Sequence, residues 1–190
     1  IPDRIEAGTY LIAAMMTGGA ITLHGFVPSH NTTLLEKMRL AGADITCTDS
    51  SITLNMHNQR PRAVSIETAE YPGFPTDLQA QWLAMNVIAK GTASVVETVF
   101  ENRLQHVDAL KKMQADITLI GSCAHTAGQS TLKGTTVAAT DLRASASLIL
   151  AALVSEGETC VTHIEHMDRG YMHLEEKLSA LGASIRREAH

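Results

Sequence analysis

Three arginines occupy positions from which their side chains could bind a small anion, and two aspartates mark the starts of predicted helices. Arg103 and Arg169 each lie in a predicted turn after a strand, and Arg143 lies just inside a predicted helix that opens at Asp141. Asp77 opens an earlier, equivalent helix. Guanidinium groups beside helix N-termini suit phosphate or carboxylate, since both charge and free backbone N–H groups favour an anion there. The sequence therefore predicts an anion-binding edge.

Each of these residues also has a purely structural interpretation. An aspartate before an apolar helix is a good N-cap, and the arginines in the two turns suit ordinary surface positions or ion pairs. Arg143 could pair with Asp141 or Glu165. For Asp77 and Asp141 the two roles are compatible, because a capping carboxylate at the edge of a cleft remains available to a ligand.

The elements that position these residues recur three times along the chain. Each unit begins with an aspartate and an apolar helix that ends near a glycine, and a β-branched strand, an amphipathic helix and a closing strand follow. The units cover about residues 2–68, 75–133 and 135–187. Their opening aspartates are Asp3, Asp77 and Asp141.

The repeat predicts an α/β fold built from three βαβαββ-like units in one domain, residues 1–190. Such units pack most economically around a pseudo-threefold axis, as an inside-out α/β prism with helices inside and sheets outside. The strand after the first helix is predicted at Ile21–Leu23, Ser94–Val99 and Thr159–Ile164. The closing strand is predicted at Ala43–Thr46, Ala115–Thr118 and Ala183–Ile185.

Composition narrows the functional classes. The 190 residues are 45% hydrophobic, enough for one sizeable core, while a net charge of -5 and 4% aromatic residues argue against a nucleic-acid partner. Three widely spaced cysteines favour a reducing cytoplasm, and no apolar stretch approaches the roughly 20 residues that span a bilayer. His163 and His166 have no further ligands at a spacing that completes a tetrahedron, so no metal site is predicted.

Four runs, in this order, resemble the enolpyruvyl transferases, and specifically the UDP-N-acetylglucosamine 1-carboxyvinyltransferases. They are FPTDLQAQ (74–81), ETVFENR (97–103), ATDLRASASL (139–148) and HMDRGY (166–171). The runs PDRIEAGTYL near the start and EKLSALGASI near the end are similar as well, so the resemblance covers essentially the whole chain.

The resemblance implies a reaction and its substrates. Enolpyruvyl passes from phosphoenolpyruvate to the 3'-hydroxyl of UDP-N-acetylglucosamine and phosphate is released, which is the first committed step of peptidoglycan synthesis. The transfer proceeds by addition and elimination through a tetrahedral intermediate, with no metal or organic cofactor. Neither nucleic acid nor a membrane is an expected partner.

The resemblance also implies roles for individual residues. Asp77 is the candidate general base at the sugar hydroxyl, Val99 contacts the amino sugar through its backbone, and Arg103 lines the same pocket. The residues implied to face phosphoenolpyruvate are Asp141, Arg143 and Arg169.

The chain departs from the family in length. Enzymes of this family are about twice as long and have two domains of ordinary size, so we expect this chain to be the second domain and inactive alone. It lacks the family's amino-terminal lysine–asparagine pair and the loop with the reactive cysteine, whose role none of Cys47, Cys123 and Cys160 inherits. The missing first domain is the expected partner, and its absence is expected to leave a strand edge open.

Two other functions remain open from the sequence. The chain could act by itself as a ligand-binding or regulatory module of the same fold. It could also be an enolpyruvyl transferase that uses shikimate 3-phosphate as the acceptor, which the combination of FPTD, DLRAS and DRGY disfavours.

Overall fold

The computed structural model describes residues 3–129 and 131–188. Within them the α-helices are α1 (Arg4–Met16), α2 (Thr32–Leu40), α3 (Gln79–Ile88), α4 (His106–Lys112), α5 (Leu142–Ala152) and α6 (Leu174–Ala180). The strands are β1 (Ala20–His24), β2 (Asp44–Cys47), β3 (Ser51–Asn55), β4 (Ile66–Glu67), β5 (Thr92–Val96), β6 (Ile117–Ile120), β7 (Cys123–Ala127), β8 (Leu132–Lys133), β9 (Thr136–Ala138), β10 (Ser155–Glu156) and β11 (Cys160–Thr162).

Helices α1, α3 and α5 pack against one another at the centre of the molecule. Every residue of α3 is buried, as are most residues of the other two helices. A helix that is apolar on all sides is stable only when it is surrounded by other elements. Trp82 and Leu83 of α3 are wholly buried, and such burial contributes about 1.5–3 kcal/mol for a leucine-sized side chain.

The sheets lie outside these helices. One sheet has the strand order β1-β3-β2 and a second has β4-β5-β7-β6. Two parallel pairs remain, β9–β11 within the third unit and β8–β10, which joins the end of the second unit to the third. Burial alternates along β3, where Ile52 and Leu54 are buried and their neighbours are not. One face of the sheet therefore packs on the core, as period-two alternation requires. This confirms the predicted fold, with helices inside and sheets outside.

The first two units share one topology. In each, the strand after the first helix pairs antiparallel with the second strand of a hairpin, so that β1-β3-β2 corresponds to β5-β7-β6. The mutual contact of α1, α3 and α5 is the arrangement that an approximate threefold axis requires.

The third unit differs, and the strand predicted at Ala183–Ile185 is wrong. Residues 183–188 contain no strand. An extended segment becomes a strand only when a neighbour pairs with its N–H and C=O groups. In the first two units a hairpin supplies that neighbour, and the described residues of the third unit contain no equivalent hairpin. The free edge of β11 is consequently unpaired within the described residues.

The strand predicted at Ser94–Val99 is β5, but it ends at Val96. The carboxylate of Glu97 accepts hydrogen bonds from the backbone N–H groups of Val99 and Phe100, at 2.9 Å and 3.2 Å. These bonds turn the chain away from the sheet, because the two N–H groups are no longer available to a neighbouring strand.

The three repeat-equivalent aspartates lie at or next to helix N-termini, as predicted, but only two are caps. Asp3 accepts from Ile5 N at 2.8 Å, and Asp141 accepts from Arg143 N at 2.7 Å. Asp77 lies in a 3-10 turn one step before α3 and makes no cap bond. No helix in the described residues is long and apolar enough to cross a membrane.

Replacing Asp3 tests whether its side chain stabilises the N-terminus of α1. We expect Asp3→Ala to lower the free energy of unfolding by about 1 kcal/mol, because two backbone N–H groups lose their acceptor. Asp3→Asn is the matched control and should retain most of the stability, since asparagine caps comparably. Urea unfolding of both variants measures the difference, and equal losses in the two would contradict the capping role.

Candidate active site

The starts of α3 and α5 meet the turn before α4 at one end of the molecule. A small cleft of about 40 Å³ lies between them. The polar residues that line it are Gln79, Asn102, Arg103, His106, Asp141 and Arg143. The fold therefore brings together Arg103, Asp141 and Arg143, which the sequence places in separate segments, and Asp77 joins them through its ion pairs.

Asp77 is the centre of this group. Its Oδ1 atom accepts from Arg103 Nη1 at 3.1 Å and from Arg143 Nε at 2.5 Å, and Arg143 Nη2 also contacts it. Arg143 therefore pairs with neither Asp141 nor Glu165, the partners that the sequence suggested. Within the part of the chain that the structure describes, these side-chain contacts all involve Oδ1, and the Asp77 side chain is 39% exposed. The second oxygen, Oδ2, is thus open to a ligand.

Glu97 holds the turn behind Arg103, and no pattern in the sequence singled it out as a functional residue. Its carboxylate is buried and accepts from the hydroxyl groups of Thr68 and Thr76, at 2.9 Å and 2.8 Å, besides the two backbone N–H groups. Thr76 Oγ1 in turn accepts from Arg103 Nη1 at 3.0 Å. A buried carboxylate is stable only with such a set of donors, so Glu97 fixes the Arg103 turn relative to Asp77.

Val99 is half-buried in this turn, and its backbone N–H is engaged by Glu97. Only its carbonyl group is left to contact a ligand through the backbone. Next to it, the exposed Phe100 ring stacks on Arg103, whose guanidinium carbon lies 3.9 Å from the ring centroid. This cation–π contact orients the guanidinium group.

Asp141 combines a structural role with an accessible charge. Burial raises the pKa of its carboxyl group, but the backbone N–H groups of Ala144 and Arg143 and the Thr140 hydroxyl outweigh that effect and lower the pKa. The group is therefore ionised at neutral pH. Asp141 is exposed and lines the cleft, so it can cap the helix and still contact a ligand.

Arg169 lies in a 3-10 turn, Met167–Arg169, that packs against α5. The next residue, Gly170, lies so close to Leu142 that a Cβ there would be 2.8 Å from a leucine methyl carbon. Arg169 itself is exposed and makes no ion pair within the described residues. Whether its guanidinium group reaches the same anion as that of Arg143 stays a prediction.

Comparison with known proteins gives the family. The sequence profile of EPSP synthase (3-phosphoshikimate 1-carboxyvinyltransferase) matches residues 1–178. The chain belongs to the EPSP synthase family of enolpyruvyl transferases.

Solved structures of this family share the fold. The enolpyruvyl transferase NikO from Streptomyces tendae is similar at 28% identity with a TM-score of 0.87, over 98% of this chain and 44% of that one. EPSP synthase from Acinetobacter baumannii is similar in fold at 20% identity with a TM-score of 0.73, over 98% of this chain and 44% of that one. The chain therefore spans less than half the length of these proteins.

A buried polar network links the Arg169 turn to Asp77 in this EPSP synthase family chain. The Gln81 side-chain amide donates to the Asp77 carbonyl at 3.2 Å and to the Tyr171 hydroxyl at 3.1 Å. The Tyr171 hydroxyl also lies 2.8 Å from Thr9 Oγ1. One network thus joins α1, α3 and the segment after Arg169, which fixes the distance between Asp77 and that segment.

His106 and Gln79 complete the cleft, and both are buried. Burial lowers the pKa of His106 to about 4, although Asp141 and a hydrogen bond with the backbone of Arg103 oppose the shift. His106 is therefore neutral at pH 7. The sequence offered no signal for this pair, because burial depends on which segments the fold packs around them.

The titration of His106 predicts how stability depends on pH. The pKa is about 6.5 in the unfolded chain and about 4 in the folded protein, so unfolding takes up a proton between these values. Stability is consequently lost as the pH falls through this window, by about 3 kcal/mol at most. We expect His106→Gln to remove this part of the pH dependence.

Urea unfolding between about pH 7 and about pH 4.5 measures the effect. The exposed His24 offers a matched control, because His24→Gln should retain the wild-type pH dependence. An unchanged pH dependence in His106→Gln would contradict the burial of a neutral imidazole.

Proposed function

We propose that this chain forms one half of the active site of a UDP-N-acetylglucosamine enolpyruvyl transferase. In this proposal residues 1–190 are the second domain of a two-domain enzyme, and the first domain is the partner. The observation that carries the proposal is the contact of Arg103 and Arg143 with one oxygen of Asp77, which leaves the other oxygen free. In this proposal the reaction needs neither a metal nor an organic cofactor.

The reaction divides into addition and elimination. The acceptor hydroxyl oxygen bonds to C2 of phosphoenolpyruvate, its proton passes to a base, and an acid protonates C3. The tetrahedral intermediate then loses a proton from C3 and expels phosphate, which restores the double bond. Asp77 Oδ2 is the candidate base, since a carboxylate at the site edge can accept the hydroxyl proton directly.

The arginines would neutralise the phosphate and carboxylate of phosphoenolpyruvate. Arg169 has no ion pair within residues 3–129 and 131–188, so it is ready to bind an anion. Arg143 contacts Asp77 and reaches the same cleft that the exposed Asp141 lines. A planar guanidinium group binds phosphate or carboxylate through two parallel hydrogen bonds, so Arg143 and Arg169 are the proposed phosphoenolpyruvate ligands. Val99 and Arg103 would contact the acceptor sugar.

One domain supplies only part of this machinery. The side chains of Asp77, Arg143 and Arg103 are 39%, 30% and 21% exposed, so their charges act in a partly aqueous environment. Electrostatic interactions weaken severalfold in water relative to a closed, water-free site. The cationic groups and the general acid of the first domain would complete and seal the site, and the isolated chain should be inactive.

The proposal also specifies which compound accepts the enolpyruvyl group. The runs FPTDLQAQ, DLRAS and DRGY favour UDP-N-acetylglucosamine, and with it a role in peptidoglycan synthesis in the cytoplasm. Shikimate 3-phosphate is the alternative acceptor, and the match of residues 1–178 to the EPSP synthase profile favours it.

Phosphate release from phosphoenolpyruvate tests the proposal. We expect the 190-residue chain alone to release none, and turnover with UDP-N-acetylglucosamine to appear when the first domain of such an enzyme is added. In the reconstituted enzyme Asp77→Asn should lower kcat by about 100- to 10,000-fold, because a general base is lost. Asp116→Asn is the matched control, since the exposed Asp116 lies outside the site.

Each outcome of this experiment has a distinct meaning. Robust turnover by the chain alone would contradict the half-site, and full activity of Asp77→Asn would contradict the base. Turnover with shikimate 3-phosphate but not with UDP-N-acetylglucosamine would replace the acceptor. Ligand binding without turnover under any of these conditions would favour a stand-alone binding module.

A further inference from the structure

Two buried polar residues that line the cleft each have one side-chain nitrogen without a hydrogen-bond partner in the described part of the chain. Gln79 is 1% exposed and His106 is 3% exposed. Within the described residues, Gln79 Nε2 and His106 Nε2 have no hydrogen-bond partner. A buried polar group without a partner is costly, so two such groups in one cleft indicate a site that is completed by a bound group.

The two atoms have complementary hydrogen-bonding roles. His106 interacts with the backbone of Arg103, and because Nε2 is unpartnered, Nδ1 is the nitrogen that donates there. The imidazole is neutral, so its Nε2 carries the lone pair and accepts a hydrogen bond. The side-chain nitrogen of Gln79 can only donate. The cleft thus offers one acceptor and one donor.

The size and charge of the cleft restrict what it can hold. A volume of about 40 Å³ has room for a group no larger than roughly two or three water molecules. Neither Gln79 nor the neutral imidazole of His106 carries a charge, so a neutral group is favoured beside these two side chains.

A hydroxyl group meets both requirements, since it donates to His106 Nε2 and accepts from Gln79 Nε2. An ionised carboxylate or phosphate oxygen has no proton to give to His106, and an ammonium group has no lone pair to accept from Gln79. Each of these would leave one buried atom unsatisfied, and sites of this kind reject ligands that lack the matching group.

We propose that Gln79 and His106 form a subsite for one hydroxyl group of the substrate, next to the anionic group that the neighbouring arginines bind. The ligand class is a phosphorylated compound with a hydroxyl a few bonds away from the phosphate. The inference deepens the proposed function and rests on it for the identification of the ligand as a substrate. The hydroxyl group bound by Gln79 and His106 is distinct from the one that Asp77 deprotonates.

Two small phosphates that differ in a single hydroxyl test the subsite. 2-Hydroxyethyl phosphate and ethyl phosphate have the same charge, and their dissociation constants with the 190-residue chain follow from NMR titration. We expect 2-hydroxyethyl phosphate to bind about 5- to 10-fold more tightly, as one additional buried hydrogen-bonding group implies.

Variants assign the preference to the two side chains. His106→Phe and Gln79→Met should each bring the ratio of the two dissociation constants close to 1. Gln79→Met preserves the length of the side chain, so it carries the test if His106→Phe fails to fold. His24→Phe, at an exposed position of β1, should keep the wild-type ratio.

Equal affinities of the wild type for the two phosphates would overturn the proposal, as they would if the cleft held only an ordered water molecule. A preference that survives in Gln79→Met, or the absence of binding of both compounds, would overturn it too. Failure of the proposed function is distinguishable: a hydroxyl preference without turnover of the reconstituted enzyme would retain the subsite and reject the reaction.

Discussion

The packing of three helices that have almost no exposed face is the constraint on which the rest of the structure depends. Because α1, α3 and α5 bury nearly all their residues against one another and the sheets, the strands can lie only outside them. The starts of α3 and α5 then share one end of the molecule, where both line one cleft. Backbone N–H groups, helix dipoles and charged side chains are concentrated there, and such groups favour the binding of an anion.

The repeat places aspartates at equivalent positions, but differences in the local backbone give them different hydrogen-bond partners. Asp3 and Asp141 cap their helices, whereas the 3-10 turn at Thr76–Leu78 sets Asp77 one step further back. The Asp77 carboxylate is thereby released from backbone N–H groups and meets two guanidinium groups instead. A duplicated structural residue has in this way become the centre of the candidate site, and the repeat accounts for its position but not for its partners.

The site is held by polar groups that are themselves buried. Glu97, with four donors, fixes the Arg103 turn, and Gln81 with Tyr171 ties the Asp77 backbone to the segment after Arg169. Satisfied buried networks are rigid, because loss of any member leaves a desolvated group unpaired. The charged groups of the cleft are therefore positioned before a ligand arrives, and their partial exposure leaves them accessible.

The sequence by itself determined the α/β fold with most of its helices and strands, two of the three expected aspartate caps and the enolpyruvyl transferase family. These features depend on periodicity and on hydrogen bonds between residues two or three apart, which act in any context that permits the helix or strand. The tertiary structure decided which groups meet. Asp77 pairs with arginines 26 and 66 positions away. Burial lowers the pKa of His106. Residues 183–188 form no strand, because no neighbouring strand among the described residues pairs with them. Ion-pair partners, desolvation and strand pairing are properties of three-dimensional neighbours, and no local pattern encodes them.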